Sequence, residues 1–135
     1  MRRVIYTSHA SERFKEGDLF RLVSASSRYN GQVGVTGFLL YANGRFLQLL
    51  EGPDDQVTQL FALIKSDVRH DRCEIVLDEQ IAANLFANWS MRRVPKSSGG
   101  EVLSYLRERI ETEMPQSVAD CIECFLAELR TVSIS

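Results

Sequence analysis

The spacing of apolar and polar residues predicts alternating strands and helices. Residues 3–8 carry β-branched and aromatic side chains and predict a first strand. Polar residues 9–17 predict a loop, and a helix should follow because apolar residues return at i, i+3, i+4 and i+7. The positions of this stripe are Leu19, Leu22, Val23 and Ser26. The helix is predicted to end near Arg28, since Asn30-Gly31 is typical of a left-handed helix stop.

A hairpin is the clearest element of the sequence. Residues 35–41 and 45–50 are apolar runs on either side of Ala42-Asn43-Gly44. Asn-Gly between such runs favours a tight turn, because both turn residues tolerate positive φ. The two runs show little alternation, which is typical of strands covered on both faces. We therefore expect the hairpin to lie centrally in its sheet.

The next segment predicts a second helix and a fourth strand. Pro53-Asp54-Asp55 is a helix start, with a proline and capping carboxylates. Its predicted buried stripe consists of Val57, Leu60, Phe61 and Ile64. A charged connection at residues 67–71 leads to a strand predicted at residues 73–81.

Residues 86–94 predict a short fifth strand. Trp89 and Met91 alternate with Ser90 on it, so both should point to the same face. Residues 95–100 are then the best linker candidate. Two helices are predicted after the linker, at about residues 101–112 and 115–131, with apolar stripes that must pack on the sheet or on another chain.

The predicted order is β-α-β-β-α-β followed by one more strand and two helices. This is the α+β, ferredoxin-like pattern. The first two helices cover one sheet face, and we expect the two C-terminal helices to cover the other. The chain should therefore divide into a domain at residues 1–95 and a helical extension at residues 96–135.

Composition excludes several classes of protein. The chain has 135 residues, of which 44% are hydrophobic and 25% charged, which is ordinary globular usage. Its net charge of −2 lacks the basic excess of a nucleic-acid binder. No apolar run approaches the ~20 residues of a membrane span, and no apolar signal region follows the first residues. Three cysteines are an odd count, which favours reduced thiols and a cytoplasmic location.

Familiar catalytic and metal motifs are not found in the sequence. Gly34-Val35-Thr36-Gly37 lacks the lysine and the helix of a phosphate-binding loop. Two histidines and scattered cysteines give no zinc set. Cys121 and Cys124 have redox spacing but lie within a predicted helix, where a thiolate is not stabilised. We therefore predict neither an enzyme nor a metal site.

Two polar residues lie on strands that the pattern predicts to be buried. Gln48 interrupts the apolar third strand, and Tyr6 lies on the first strand, its expected neighbour. A buried amide needs partners, so Gln48 is either a satisfied core residue or an amide that faces a ligand. Tyr6 is likewise either an ordinary strand tyrosine or the partner of Gln48. The remaining polar candidates, Asn30 and His70, have ordinary interpretations as helix-end residues.

Taken together, the motifs are far more specific than any one of them. The chain resembles the BLUF family, blue-light sensors that use FAD. The resemblance covers about residues 3–94 and rests on segments matching in order and spacing: Tyr6-Thr7-Ser8, Asn30, residues 35–41, residues 46–52, residues 67–70 and residues 86–91.

The resemblance implies a photoreceptor with a non-covalently bound flavin between the first two helices. Tyr6 would donate an electron to the excited flavin, and Gln48 would be the switching amide between them. Asn30 would hold the polar edge of the isoalloxazine ring, with Arg69 and His70 also lining the pocket.

The same resemblance implies that Trp89 and Met91 relay the signal along the fifth strand. FAD is the implied cofactor, with FMN as the alternative. The chain departs from the family at Asn84, where many members carry arginine, and at Tyr29, where asparagine or histidine is frequent. These departures bear on flavin affinity and on hydrogen bonding next to the flavin.

Only about forty residues follow the Trp-Ser-Met segment, which indicates the short, stand-alone type. Such a flavoprotein would act in signal transduction through an unidentified downstream protein, without nucleic acid or membrane, and as a homodimer or higher oligomer. The alternative function is a light-independent, ferredoxin-like regulatory module that binds another small ligand.

Overall fold

The computed structural model describes residues 1–12, 14–15, 34–87, 89, 91–94, 99–110 and 112–134. The first predicted helix, with its stop at Asn30-Gly31, lies outside the described residues. So does Tyr29, and so does most of the predicted linker.

The described sheet has five strands: β1 (Arg2–Ala10), β2 (Thr36–Ala42), β3 (Arg45–Gly52), β4 (His70–Gln80) and β5 (Arg92–Val94). They lie in the order β4-β1-β3-β2-β5. The neighbouring strands among the first four are antiparallel to one another, and β5 runs parallel to β2. This is the ferredoxin-like order with one added strand. Both strands of the β2–β3 hairpin have neighbours on each side, so the prediction of a central hairpin is confirmed.

The hairpin turn forms at the predicted residues. Asn43 and Gly44 have φ values of 52° and 75°. Both are left-handed, as a two-residue turn between twisted strands requires.

Three helices are described: α1 (Asp54–Lys65), α2 (Gly99–Arg107) and α3 (Gln116–Ile134). Acidic residues Asp54 and Asp55 occupy the first turn of α1, where they favour the positive end of the helix dipole. Helix α2 begins within the predicted linker and ends earlier than the expected residue 112. No helix in the described ranges is long and apolar enough to span a bilayer.

The helices divide the core into two clusters on opposite sheet faces. On the α1 face, Val57 packs with Val4, Leu39 and Leu50 from the strands. On the α2/α3 face, the strand residues pack against side chains of both C-terminal helices: Ile5, Leu47 and Leu49 against Leu106, Ile122 and Phe125. The expectation that these helices cover the second face is confirmed. The division into a domain at 1–95 and an extension at 96–135 stays a prediction.

Two strand boundaries differ from the sequence prediction. Strand β4 begins at His70, not at residue 73, because Ala10 and His9 extend β1 and pair with His70 and Asp71. Strand β5 has only three residues, so the predicted strand at 86–94 is wrong at the described residues before Arg92, namely Phe86, Ala87, Trp89 and Met91. Its first part is a turn, in which the Trp89 N–H donates to the Phe86 carbonyl over 3.0 Å.

This turn also overturns the expected orientation of Trp89 and Met91. Trp89 is buried on the α2/α3 face, whereas Met91 is buried on the α1 face. Two residues that strand geometry would place on one face therefore lie on opposite faces of the sheet.

Candidate functional site

Tyr6 and Gln48 are directly opposed across the β1–β3 ladder. Both are buried, with 3% and 5% of their surfaces exposed. The Tyr6 hydroxyl donates a hydrogen bond to Gln48 Oε1. Gln48 Nε2 lies 3.2 Å from Met91 Sδ, within donating distance. Of the alternatives that the sequence left open for Tyr6, the structure thus selects partnership with Gln48.

The environment of Tyr6 keeps its phenol protonated. Burial raises the pKa of Tyr6 well above its usual value, because a phenolate would lose its hydration, and nearby Cys73 and Asp67 act in the same direction. Its ring meets that of Phe61 edge to face, with the centroids 5.5 Å apart. Tyr6 is therefore a neutral hydrogen-bond donor of fixed orientation.

A pocket opens on the α1 face beside this pair. Its walls combine apolar side chains with polar groups from β1, β3 and the segment after α1: Tyr6, Leu39, Phe46, Gln48, Ile64, Asp67, Arg69 and His70. The pocket thus brings together four of the predicted site residues. Asn30, the fifth residue predicted to bind the flavin, lies outside the part of the chain that the structure describes.

His70 is held from both ring nitrogens. Nε2 lies 2.5 Å from the Ile64 carbonyl oxygen, and Nδ1 lies 2.8 Å from the Ser8 hydroxyl. A carbonyl can only accept, so Nε2 carries a hydrogen, and in the neutral ring Nδ1 accepts from Ser8. Ser8 is fully buried. Sequence reasoning gave Ser8 no role, although its spacing of two residues from Tyr6 places it on the same face.

Arg69 is fixed at the wall of the pocket by Asp67. Its guanidinium donates to both carboxylate oxygens, with Nε 3.0 Å from Oδ1 and Nη2 2.5 Å from Oδ2. These hydrogen bonds hold the pKa of Asp67 below its usual range. Sequence reasoning treated Asp67 as part of a charged connection and missed its role in orienting Arg69.

Asn84, one of the two positions at which the chain departs from the family pattern, lies away from this pocket. Its Nδ2 donates to the Thr36 hydroxyl over 2.7 Å, while its buried Oδ1 has no hydrogen-bond partner among the described residues.

Trp89 packs within a column of aromatic rings on the α2/α3 face. It stacks on Phe86 at 5.1 Å between centroids and contacts Tyr105 of α2 at 6.4 Å. Trp89 therefore contacts α2, and Met91 contacts the buried amide of Gln48.

Comparison with known proteins identifies this arrangement. Residues 1–92 match the sequence profile of the BLUF family, described as sensors of blue light using FAD. The chain belongs to the BLUF family. It is a flavin-binding, blue-light-sensing protein of that family, and FAD is the family's cofactor.

Relatives of this BLUF chain include much longer proteins. It is 34% identical over 94 residues to the photoactivated adenylate cyclase subunit alpha of Euglena gracilis, covering 68% of this chain and 9% of that protein. It is 35% identical over 88 residues to the blue light- and temperature-regulated antirepressor BluF of Escherichia coli (strain K12), covering 65% and 22%. The chain thus spans less than a quarter of either relative.

A solved structure of similar length agrees in fold. BlrB, a BLUF protein in its dark state, superposes with a TM-score of 0.71 at 32% identity, covering 95% of this chain and 96% of BlrB.

The residues of the pocket fit an isoalloxazine ring. Leu39, Phe46 and Ile64 provide an apolar wall for a flat aromatic system. The Gln48 amide nitrogen has two N–H donors, and the thioether that it meets is a weak acceptor. It therefore keeps donor capacity for the carbonyls and ring nitrogens of a flavin.

Proposed function

We propose that this BLUF chain converts blue light into a hydrogen-bond rearrangement at Gln48 and signals through contact with a downstream protein, without catalysis of its own. The observation that carries the proposal is the buried series formed by the Tyr6 hydroxyl, the Gln48 amide and the Met91 sulfur. An amide can serve as its centre, because its oxygen accepts from the phenol while its nitrogen donates to the sulfur.

Gln48, Arg69 and His70 are the described residues that would hold the flavin, and Asn30 is proposed to bind the polar edge of its ring. When bound, the isoalloxazine of FAD supplies blue-light absorption and an excited state that is a strong oxidant. FMN carries the same ring and remains the alternative cofactor.

Tyr6 is the proposed electron donor to this oxidant. Its phenol is held protonated by burial, so oxidation of Tyr6 to a neutral radical releases a proton as well as an electron. The existing bond to Gln48 Oε1 gives that proton an acceptor within hydrogen-bond distance. Gln48 can then rotate or tautomerise. The return of the electron and the proton to Tyr6 leaves a new hydrogen-bond pattern and consumes neither residue.

The energy available to the signal is small. Rearranging one or two hydrogen bonds changes the free energy by about 0.5–1.5 kcal/mol each. A complete exchange of two states from 1:99 to 99:1 needs about 5.5 kcal/mol. Light should therefore shift a binding equilibrium only partly.

The proposed relay runs from Gln48 through Met91 to Trp89. Because Trp89 contacts Tyr105 on the opposite sheet face, a shift at Met91 can reach α2. This supports an output surface on the α2/α3 side for an unidentified signalling partner or a second copy of the chain. Two relatives, a photoactivated adenylate cyclase subunit and a blue light- and temperature-regulated antirepressor, are consistent with such a downstream effector.

Two variants test the photochemical core of the proposal. With FAD bound, Gln48→Leu should abolish the light-induced spectral shift, and Tyr6→Phe should block the reversible photocycle. Gln59→Leu on the exposed side of α1 and Tyr105→Phe on α2 are matched controls that should retain both. A normal shift in Gln48→Leu, or an unchanged cycle in Tyr6→Phe, would remove that residue from its role.

A further inference from the structure

A fully buried carboxylate lies on β3, three residues beyond Gln48. Glu51 is 0% exposed, and its partner Arg3 is 5% exposed. Arg3 Nε donates to Glu51 Oε2 over 2.8 Å, and Arg3 Nη1 donates to Glu79 Oε1 over 2.6 Å. A buried charge is costly unless it is paired and fully hydrogen-bonded, so the partners of this group are informative.

The other oxygen of Glu51 does not contact Arg3. Glu51 Oε1 accepts the backbone N–H groups of Leu85 and Phe86 over 2.9 and 3.0 Å. Hydrogen bonds to a charged acceptor are about twice as strong as neutral ones. Through these two hydrogen bonds, Glu51 holds the turn at residues 85–87 against β3, the strand that also carries Gln48.

A second attachment lies farther along the same segment. The Gly37 N–H of β2 donates to the Trp89 carbonyl over 2.8 Å. Met91 is buried on the opposite sheet face, where its sulfur meets the Gln48 amide. Phe86 thus contacts the charged anchor, and Met91, five residues later, contacts the amide of Gln48.

We propose that Glu51 is a positioning residue of the light response: its carboxylate holds the start of segment 86–91, so that Met91 is kept packed against Gln48. The inference rests on the proposed role of Gln48. A firmly held Met91 restricts rotation of the amide, and the anchor thereby slows the return from the lit to the dark state.

Charge balance alone does not account for this arrangement. Arg3 already has the Glu79 carboxylate at 2.6 Å. If Glu51 served only to neutralise Arg3, nothing would require its second oxygen to accept two consecutive backbone N–H groups from the turn before Trp89.

The FAD-bound variants Glu51→Gln and Glu79→Gln test the inference as a matched pair. Both make the same chemical change on the same arginine, but only Glu51 contacts residues 85 and 86. We expect Glu51→Gln to bind FAD and to retain the light-induced spectral shift. Its return from the lit to the dark state should be at least about three-fold faster than that of the wild type, because loss of the anchor lowers the barrier to this return. The recovery rate of Glu79→Gln should stay close to that of the wild type.

Amide hydrogen exchange gives a second readout that needs no light. The Leu85 and Phe86 amides should exchange faster in Glu51→Gln than in Glu79→Gln, while the amides of the β1–β3 ladder stay protected. If Glu51→Gln does not fold, the double variant Arg3→Gln/Glu51→Gln replaces the ion pair by two neutral amides, and the same outcomes are expected.

Unchanged or slower recovery, in a folded variant that binds FAD, would overturn the inference. Unchanged exchange at Leu85 and Phe86 would do the same. A wild-type protein without any light response would instead refute the proposed function, and the exchange measurement would still test the anchor.

Discussion

The buried hydrogen bond between Tyr6 and Gln48 can be broken from either side, by removing the Tyr6 hydroxyl or the Gln48 amide. Tyr6→Phe leaves Gln48 Oε1 without its phenol donor, and Gln48→Leu leaves a buried phenol without its acceptor. Each single change should cost about 1–3 kcal/mol of unfolding free energy, because a buried polar group loses its partner. Both residues are more than nine-tenths buried, so water should replace the partner poorly.

The double variant removes both polar groups together. Its cost should be smaller than the sum of the two single costs by about 1–2 kcal/mol, since no orphaned group remains from this bond. This coupling is the quantity that the geometry predicts, and it is independent of whether any of the variants responds to light.

Urea unfolding at a fixed excess of FAD gives the unfolding free energy of the wild type, the two single variants and the double variant. Each free energy is corrected for the measured FAD affinity of that protein. A second cycle that combines Tyr6→Phe with Gln59→Leu is the control, because Gln59 is an exposed residue of α1. That cycle should be additive within about 0.5 kcal/mol. Equal additivity in the cycle of Tyr6 and Gln48 would refute the hydrogen bond on which the proposed photochemistry depends.

Further predictions concern pH, backbone conformation and the pocket. Because the pKa of Tyr6 is raised in the folded protein, above pH ~10 the unfolded chain loses a proton that the folded chain keeps. The unfolding free energy should therefore fall with rising pH, with a slope of up to about 1.4 kcal/mol per pH unit. Alkaline unfolding of Tyr6→Phe should lack this contribution. Gly37→Ala should lower the unfolding free energy by about 2–4 kcal/mol, because φ is 152° and the new Cβ would lie 1.8 Å from a backbone oxygen of β3. Gly44→Ala, which meets no atom within 4 Å, should cost about 1–2 kcal/mol in the same urea titration. Arg69→Ala should weaken FAD binding about five-fold in a fluorescence titration, and Asp67→Asn should weaken it less, since the guanidinium is kept but loses its charged partner.

Local patterns predicted the parts of the fold that local chemistry determines. The Asn43-Gly44 turn and its apolar flanks correctly predicted a central hairpin. The opposition of Tyr6 and Gln48 followed from strand order, because β1 and β3 are neighbours in this topology. The apolar stripes on the C-terminal helices likewise predicted that these helices cover the second sheet face.

Features set by distant contacts were not predictable from these patterns. Trp89 and Met91 looked like strand neighbours on one face, yet they lie on opposite faces, after a turn that is held by Glu51. The strand-like composition of residues 86–91 contains no sign of that anchor, since Glu51 lies 35 positions from Phe86.

The polar surroundings of the pocket were only partly visible in the sequence. His70 looked like a helix-end residue, whereas it begins β4, because pairing with Ala10 extends the ladder past the predicted start. Ser8 and Asp67 act through His70 and Arg69, and such supporting contacts appear only when the sheet and α1 are packed together.

The absorption spectrum of the purified protein, recorded before and after a blue flash, tests the central claim most directly. The proposed function predicts a yellow protein whose flavin band moves slightly to longer wavelength and relaxes in darkness. A protein that remains colourless with added FAD, or one whose bound flavin shows no reversible shift, would contradict it. The colourless outcome would favour a light-independent module that binds another small ligand in the same pocket.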